Sequence, residues 1–73
     1  MDDMETIQIT DRMGEVLRKA RAGKGLTQSE LAAQVGASRE QIDHYEKGDY
    51  GVAVARLADL VEALGLTMLD LFE

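Results

Sequence analysis

Apolar positions along this chain follow two different spacings. Residues 6–10, Thr6-Ile7-Gln8-Ile9-Thr10, alternate polar and apolar, the period of a strand. Beyond them the spacing is helical. Met13, Val16, Leu17 and Ala20 recur at i, i+3, i+4 and i+7, which predicts a first helix from about Asp11 to Ala22. Thr10 or Asp11 can cap its start, and Gly23 and Gly25 let the backbone leave it.

Three further helices open on the same local signal, a Thr or Ser followed three residues later by an acidic or amide side chain. Thr27-Gln28-Ser29-Glu30 starts the second helix, in which Leu31, Ala32 and Val35 face inward and Gly36 ends the run. Ser38-Arg39-Glu40-Gln41 starts the third, which offers only Ile42 and Tyr45 to a core and exposes Arg39, Glu40, Asp43, His44 and Lys47; Gly48 stops it. Residues 49–52 read as a loop. Val54, Leu57, Ala58, Val61 and Leu64 then trace a fourth helix up to Gly65. Thr67-Met68-Leu69-Asp70 opens a short fifth helix, with Leu69 and Phe72 expected to reach the core. The expected fold is all-α, a compact bundle of five short helices over residues 11–73. Residues 1–10 form an arm whose strand, lacking a partner in the sequence, is either disordered or paired with the same strand of another subunit.

Composition narrows what such a bundle can do. At 73 residues it is one domain, and a chain of this size buries only about 60% of its unfolded surface, so efficient packing or a partner subunit must support it. It has no cysteine and only His44, which leaves no disulfide and no metal cluster. No run of about 18 apolar residues is present, so nothing here spans a membrane. The start, Met1-Asp2-Asp3-Met4-Glu5, lacks the basic residues of a secretory signal, and a cytoplasmic location is expected. No nucleophile–base pair or Gly-rich phosphate loop appears, so enzymatic activity is not expected and no cofactor is implied.

The net charge of −6 at first opposes a nucleic-acid partner. Its distribution changes the picture. Acidic residues gather in the leader and the last third, whereas Arg12, Arg18, Lys19, Arg21 and Lys24 form a basic stretch interrupted only by Glu15. From charge alone these cations read as a solvated helix face. The second and third helices add more. They are joined by Gly36-Ala37-Ser38, a length that suits two helices crossing steeply, and the third is polar and weakly committed to the core. A braced polar helix of that kind can enter the major groove.

Leu26-Thr27-Gln28-Ser29-Glu30-Leu31-Ala32, then Val35-Gly36-Ala37-Ser38, Ile42 and Tyr45-Glu46-Lys47-Gly48, resemble the Cro/repressor-type helix-turn-helix (XRE) family. The resemblance covers roughly residues 12–72 and includes Gly14, Arg21 and Ala63-Leu64-Gly65. It implies a lambda-repressor-like DNA-binding domain acting as a transcriptional regulator, most simply a repressor. It also implies that Gln28 binds a DNA phosphate and braces the reading helix. Thr27 and Ser29 sit at the same helix start, where amides favour phosphate. Ser38, Arg39 and Glu40 would meet bases, with Asp43 and His44 reaching the next ones. Arg21 would pair with Glu46 as a structural bridge, and Lys47 would touch phosphate.

Chemistry gives these positions content. A guanidinium at Arg39 fits the guanine O6/N7 edge, or pairs with Asp43 one turn on, and Glu40 can accept from cytosine N4. Tyr45 reads as core. The loop Asp49-Tyr50-Gly51-Val52-Ala53 departs from many relatives in adding no positive charge, which predicts modest affinity per monomer. Arg18, Lys24 and the Tyr50 hydroxyl are candidates to compensate. One reading helix covers few base pairs, so a homodimer on a palindromic operator is expected, with half-sites about 34 Å apart. Met68 and Leu71 at the C-terminal end are the preferred interface, and Ile7 and Ile9 the alternative. A competing function keeps the fold and makes it a protein-interaction module, such as an antitoxin or accessory subunit.

Overall fold

Local signals explain most of the architecture. The computed structural model describes residues 5–48 and 51–72, arranged as β1 (Thr6–Gln8), α1 (Asp11–Gly23), α2 (Gln28–Val35), α3 (Arg39–Lys47), β2 (Gly51–Ala53), α4 (Val54–Leu64) and α5 (Met68–Phe72). Each capping signal is realised. The Thr10 hydroxyl accepts from the Met13 amide at 3.1 Å and starts α1. Both reciprocal bonds of the capping box form at Thr27/Glu30 and at Ser38/Gln41. At α5 the Thr67 amide donates to Asp70 Oδ2 at 2.7 Å, and the Asp70 amide returns the bond. These bonds satisfy N–H groups that a helix start leaves without partners.

The five helices enclose one core. Its fully buried members include Leu17, Leu31, Ile42, Leu57, Leu60 and Leu71. α1 packs on α3, and α4 closes the bundle beneath α1 and α2. The α1 and α3 backbones come close at Gly14. A Cβ built there would lie 2.5 Å from the Glu46 carbonyl oxygen and 2.8 Å from that of Tyr45, so α1 meets the backbone of α3 directly. The all-α arrangement expected from the periodicity is thus present, with a small sheet added to it.

That sheet corrects the expectation for the arm. β1 has an internal partner: it pairs antiparallel with β2 in the register Thr6↔Ala53, Ile7↔Val52, Gln8↔Gly51. The Val54 amide extends the ladder to the Glu5 carbonyl at 3.0 Å. Three residues of β2 are too few to show alternation, which is why that segment reads as loop. Ile9 follows the strand into the core with no exposed surface, and Ile7 is half-buried over it. Both are therefore committed within their own chain rather than offered to a second subunit.

Two helix faces also turn differently from expectation. In α4 the buried set is Leu57, Leu60, Val61 and Leu64, whereas Ala58 faces out. In α5, Leu71 is buried and Met68 partly so, while Leu69 is 70% exposed and Phe72 53%. Leu71 is thus not surplus to the core. The reason is tertiary. α5 lies against α1, Arg12 Nη1 donates to the Leu71 carbonyl at 3.4 Å, and the Met68/Leu71 side of this short helix is the one turned inward.

Candidate nucleic-acid interface

The turn between α2 and α3 sets the geometry of the site. Gly36 ends α2 with φ 73°, a left-handed conformation that disfavours any side chain. The Gly36 and Ala37 amides both close back on the Ala32 carbonyl. From α4, Arg56 Nη2 donates to the Gly36 carbonyl at 3.3 Å. Ser38 then caps α3 at once. Two helices are therefore joined with almost no slack, and Ile42 and Tyr45 are the side chains that α3 buries in the core. Arg39, Glu40 and Lys47 are exposed, and Asp43 and His44 are half-buried.

A polar network ties this face to the framework. Arg21 of α1 donates through Nε to Glu46 Oε2 at 2.6 Å and through Nη2 to Glu46 Oε1 at 3.2 Å. Its Nη1 donates to the Leu26 carbonyl at 2.7 Å. The Glu46 side chain is only 4% exposed and that of Arg21 16%. The bidentate pair, chiefly its hydrogen bonds, raises the Arg21 pKa against the opposing effect of burial. This is the bridge that the resemblance implied.

Gln28, the first residue of α2, is the hub of the exposed side. Its Nε2 donates to Glu46 Oε1 at 3.0 Å and to Asp43 Oδ1 at 3.3 Å. Its Oε1 accepts from Arg39 Nη1 at 3.0 Å. Lys47 Nζ lies 3.0 Å from Asp43 Oδ2. The hydrogen bonds from Lys47 and then Gln28 hold the Asp43 carboxyl below its usual pKa. Spacing alone pointed to none of the bonds from Gln28, because they join residues 11 to 18 positions apart. The one legible hint was the i, i+3 spacing of Asp43 and Glu46, which puts two carboxylates on one side of α3.

The expected site residues divide into groups. Gln28, Ser38, Arg39, Glu40, Asp43, His44 and Lys47 gather at α3 and the start of α2, with exposed Thr27 and Ser29 beside Gln28 in sequence. The Thr27 and Ser38 hydroxyls accept cap bonds from Glu30 and Gln41 amides. Lys24 lies elsewhere: it lines a groove with Leu26, Gln34 and Ala63, and its side chain runs toward Gly65. Arg18 is exposed on α1 and paired with Glu15 at 3.1 Å, and Lys19 reaches the same carboxylate at 3.6 Å. Tyr50 lies outside the described residues. Among the described residues no three His, Cys, Asp or Glu side chains are grouped to hold a metal, and no helix is long and apolar enough to cross a membrane.

The chain is similar to known proteins over most of its length. A family model described as "Helix-turn-helix domain" matches residues 12–72. A transcriptional regulator in the ATPase CF(0) region of Rhodospirillum rubrum is 35% identical over 65 residues, 88% of this chain, which spans 60% of that protein's length. An HTH-type transcriptional regulator of Sinorhizobium fredii is 34% identical over 81% of the chain and 77% of its own. Among solved structures, the restriction-modification controller protein C.AhdI of Aeromonas hydrophila superposes with a TM-score of 0.78 at 32% identity, over 85% of this chain and 94% of that one. With the short α2–α3 turn, the Gly14 contact and the Arg21–Glu46 bridge all in place, the chain belongs to the helix-turn-helix family of transcriptional regulators, of the Cro/repressor type.

Proposed function

We propose that this chain is a sequence-specific regulator that binds double-stranded DNA as a homodimer and inserts α3 into the major groove. The observation that carries this reading is the outward row of α3, braced through Gln28 and Glu46 yet almost free of core duties. Arg39 is the main base reader. Gln28 already orients its guanidinium, so less side-chain freedom is lost when it meets guanine O6 and N7. Ser38 and Glu40 flank it, and Asp43 and His44 line the next turn. The α2 start, with Thr27, Gln28 and Ser29, faces phosphate with its amides and dipole. Lys47 follows at the other end of the face, and Arg18 adds positive charge from α1.

Leu69 and Phe72 supply the dimer contact in this reading. They are the large apolar side chains that the described fold leaves exposed, and they replace Leu71, Ile7 and Ile9 in that role. Two-fold pairing through α5 would present two copies of α3 to a palindromic site. Repression by occupying that site is the simplest outcome.

The test is selection of binding sites from random DNA, followed by titration of wild type and Arg39→Ala. The variant is expected to lose about 1–3 kcal/mol on the selected site and its preference at one base pair. Unchanged affinity and preference would remove Arg39 from the reading role.

A further inference from the structure

Arg39, Asp43 and Lys47 stand at i, i+4 and i+8 on α3, so one row of the exposed face alternates cation, carboxylate, cation. Neither oxygen of the central carboxylate is idle. Asp43 Oδ2 holds Lys47 Nζ at 3.0 Å, and Oδ1 accepts from Gln28 Nε2 at 3.3 Å. The other hydrogen of that amide is taken by Glu46 at 3.0 Å. Two donors of this face suited to gripping phosphate, Lys47 and the Gln28 amide, are thus bound to carboxylates in the free protein. Hydrogen bonds from Lys47 and Gln28 lower the Asp43 pKa, and a carboxyl is charged at neutral pH even at its ordinary value.

We infer that Asp43 is a specificity-determining residue that acts by restraint: it withholds Lys47 and Gln28 from phosphate and places a negative charge in the reading row. This rests on the DNA-binding reading above and departs from it in one respect, since Asp43 then reads no base by contact. Sequence-independent affinity comes almost wholly from cations meeting phosphates, so a carboxylate that neutralises one of them weakens binding to every sequence. On a matching site Arg39 and its neighbours make base contacts that offset the penalty. On other DNA nothing does. Removing the charge therefore strengthens non-specific binding more than specific binding.

The experiment compares wild type, Asp43→Asn and Asp43→Asn/Lys47→Ala by fluorescence anisotropy. The probes are a duplex selected from random DNA by the wild type and an unselected duplex of equal length, each over a salt series. Asparagine keeps one oxygen to accept from Gln28, removes the charge, and puts an amide NH2 where an oxygen held Lys47. The expected result is a gain of about three- to tenfold on the unselected duplex. The slope of log K against log salt should steepen by about 0.9, one phosphate contact, and return when Lys47 is also removed. The selected duplex gains less, so the ratio between the two falls. Asp43→Ser should move both quantities in the same direction, and it carries the comparison if Asp43→Asn melts early. Unchanged affinity and slope on unselected DNA would overturn the inference while leaving the DNA-binding reading intact. So would a loss confined to the selected duplex with a new preference at one base pair. Absence of salt-dependent binding by the wild type to either duplex overturns both.

Discussion

Two glycines of α1 should respond to the same substitution with opposite signs. Alanine is the better helix former by about 0.8–1 kcal/mol in a helix interior. At Gly14, however, the added methyl would sit 2.5 Å from the Glu46 carbonyl oxygen and 2.8 Å from the Glu46 carbonyl carbon and the Tyr45 oxygen. These are backbone atoms of α3 and cannot rotate away. To reach ordinary contact at 3.4 Å the helices must separate by about 0.9 Å, which loosens Met13 and Leu17 from Ile42 and Tyr45. Overpacking of this kind costs about 1–3 kcal/mol, and an unyielding backbone puts it at the upper end. Against the propensity gain, Gly14→Ala should lose about 2 kcal/mol. For a domain of this size that is a Tm lower by roughly 8–16 °C. At Gly23 a Cβ meets nothing within 4 Å. Gly23→Ala should therefore gain about 0.5 kcal/mol and a few degrees, less than an interior site because it is the last residue of α1. Thermal melts followed by far-UV circular dichroism, with urea titrations for the free energies, measure both. A Gly14→Ala variant as stable as wild type would show that α1 and α3 are not in backbone contact.

Three further outcomes follow from the same structure. Glu46→Ala should cost about 2–3 kcal/mol in urea titrations, because it leaves the mostly buried Arg21 guanidinium with only the Leu26 carbonyl; Glu46→Gln, which keeps the shape, should cost less. The Asp43 carboxyl is depressed in the fold relative to 3.8, so its contribution to stability is present above that pH and disappears as pH falls through the lower folded value. Melts of wild type and Asp43→Asn should accordingly differ at neutral pH and converge in acid, and a gap that widened in acid would contradict the assignment. Leu69→Ser with Phe72→Ser should shift sedimentation toward the monomer while leaving the monomer's far-UV spectrum intact, because both side chains lie outside the core.

The residues that begin and end helices were legible one by one. Thr27 with Glu30, Ser38 with Gln41, and Thr67 with Asp70 bond within four positions of one another, so the chemistry that starts each helix is contained in the local sequence. The same holds for Gly36 and Gly48, whose left-handed backbone stops a helix whatever surrounds it. The polar face of α3 was legible too, since only Ile42 and Tyr45 offer apolar area. What lay beyond the local window was decided by packing. A strand of three residues carries no alternation, and only the fold brings Gly51–Ala53 against Thr6–Gln8. A five-residue helix with Met68, Leu69, Leu71 and Phe72 has apolar side chains nearly all round, and its contact with α1 selects Leu71 for the core. The bonds of Gln28 to Arg39, Asp43 and Glu46 depend on how α2 crosses α3, and no spacing within either helix encodes that. The sequence by itself thus determined the helices and the polar face of α3. The tertiary structure decided which charges on that face are held, because those interactions join residues distant in the chain.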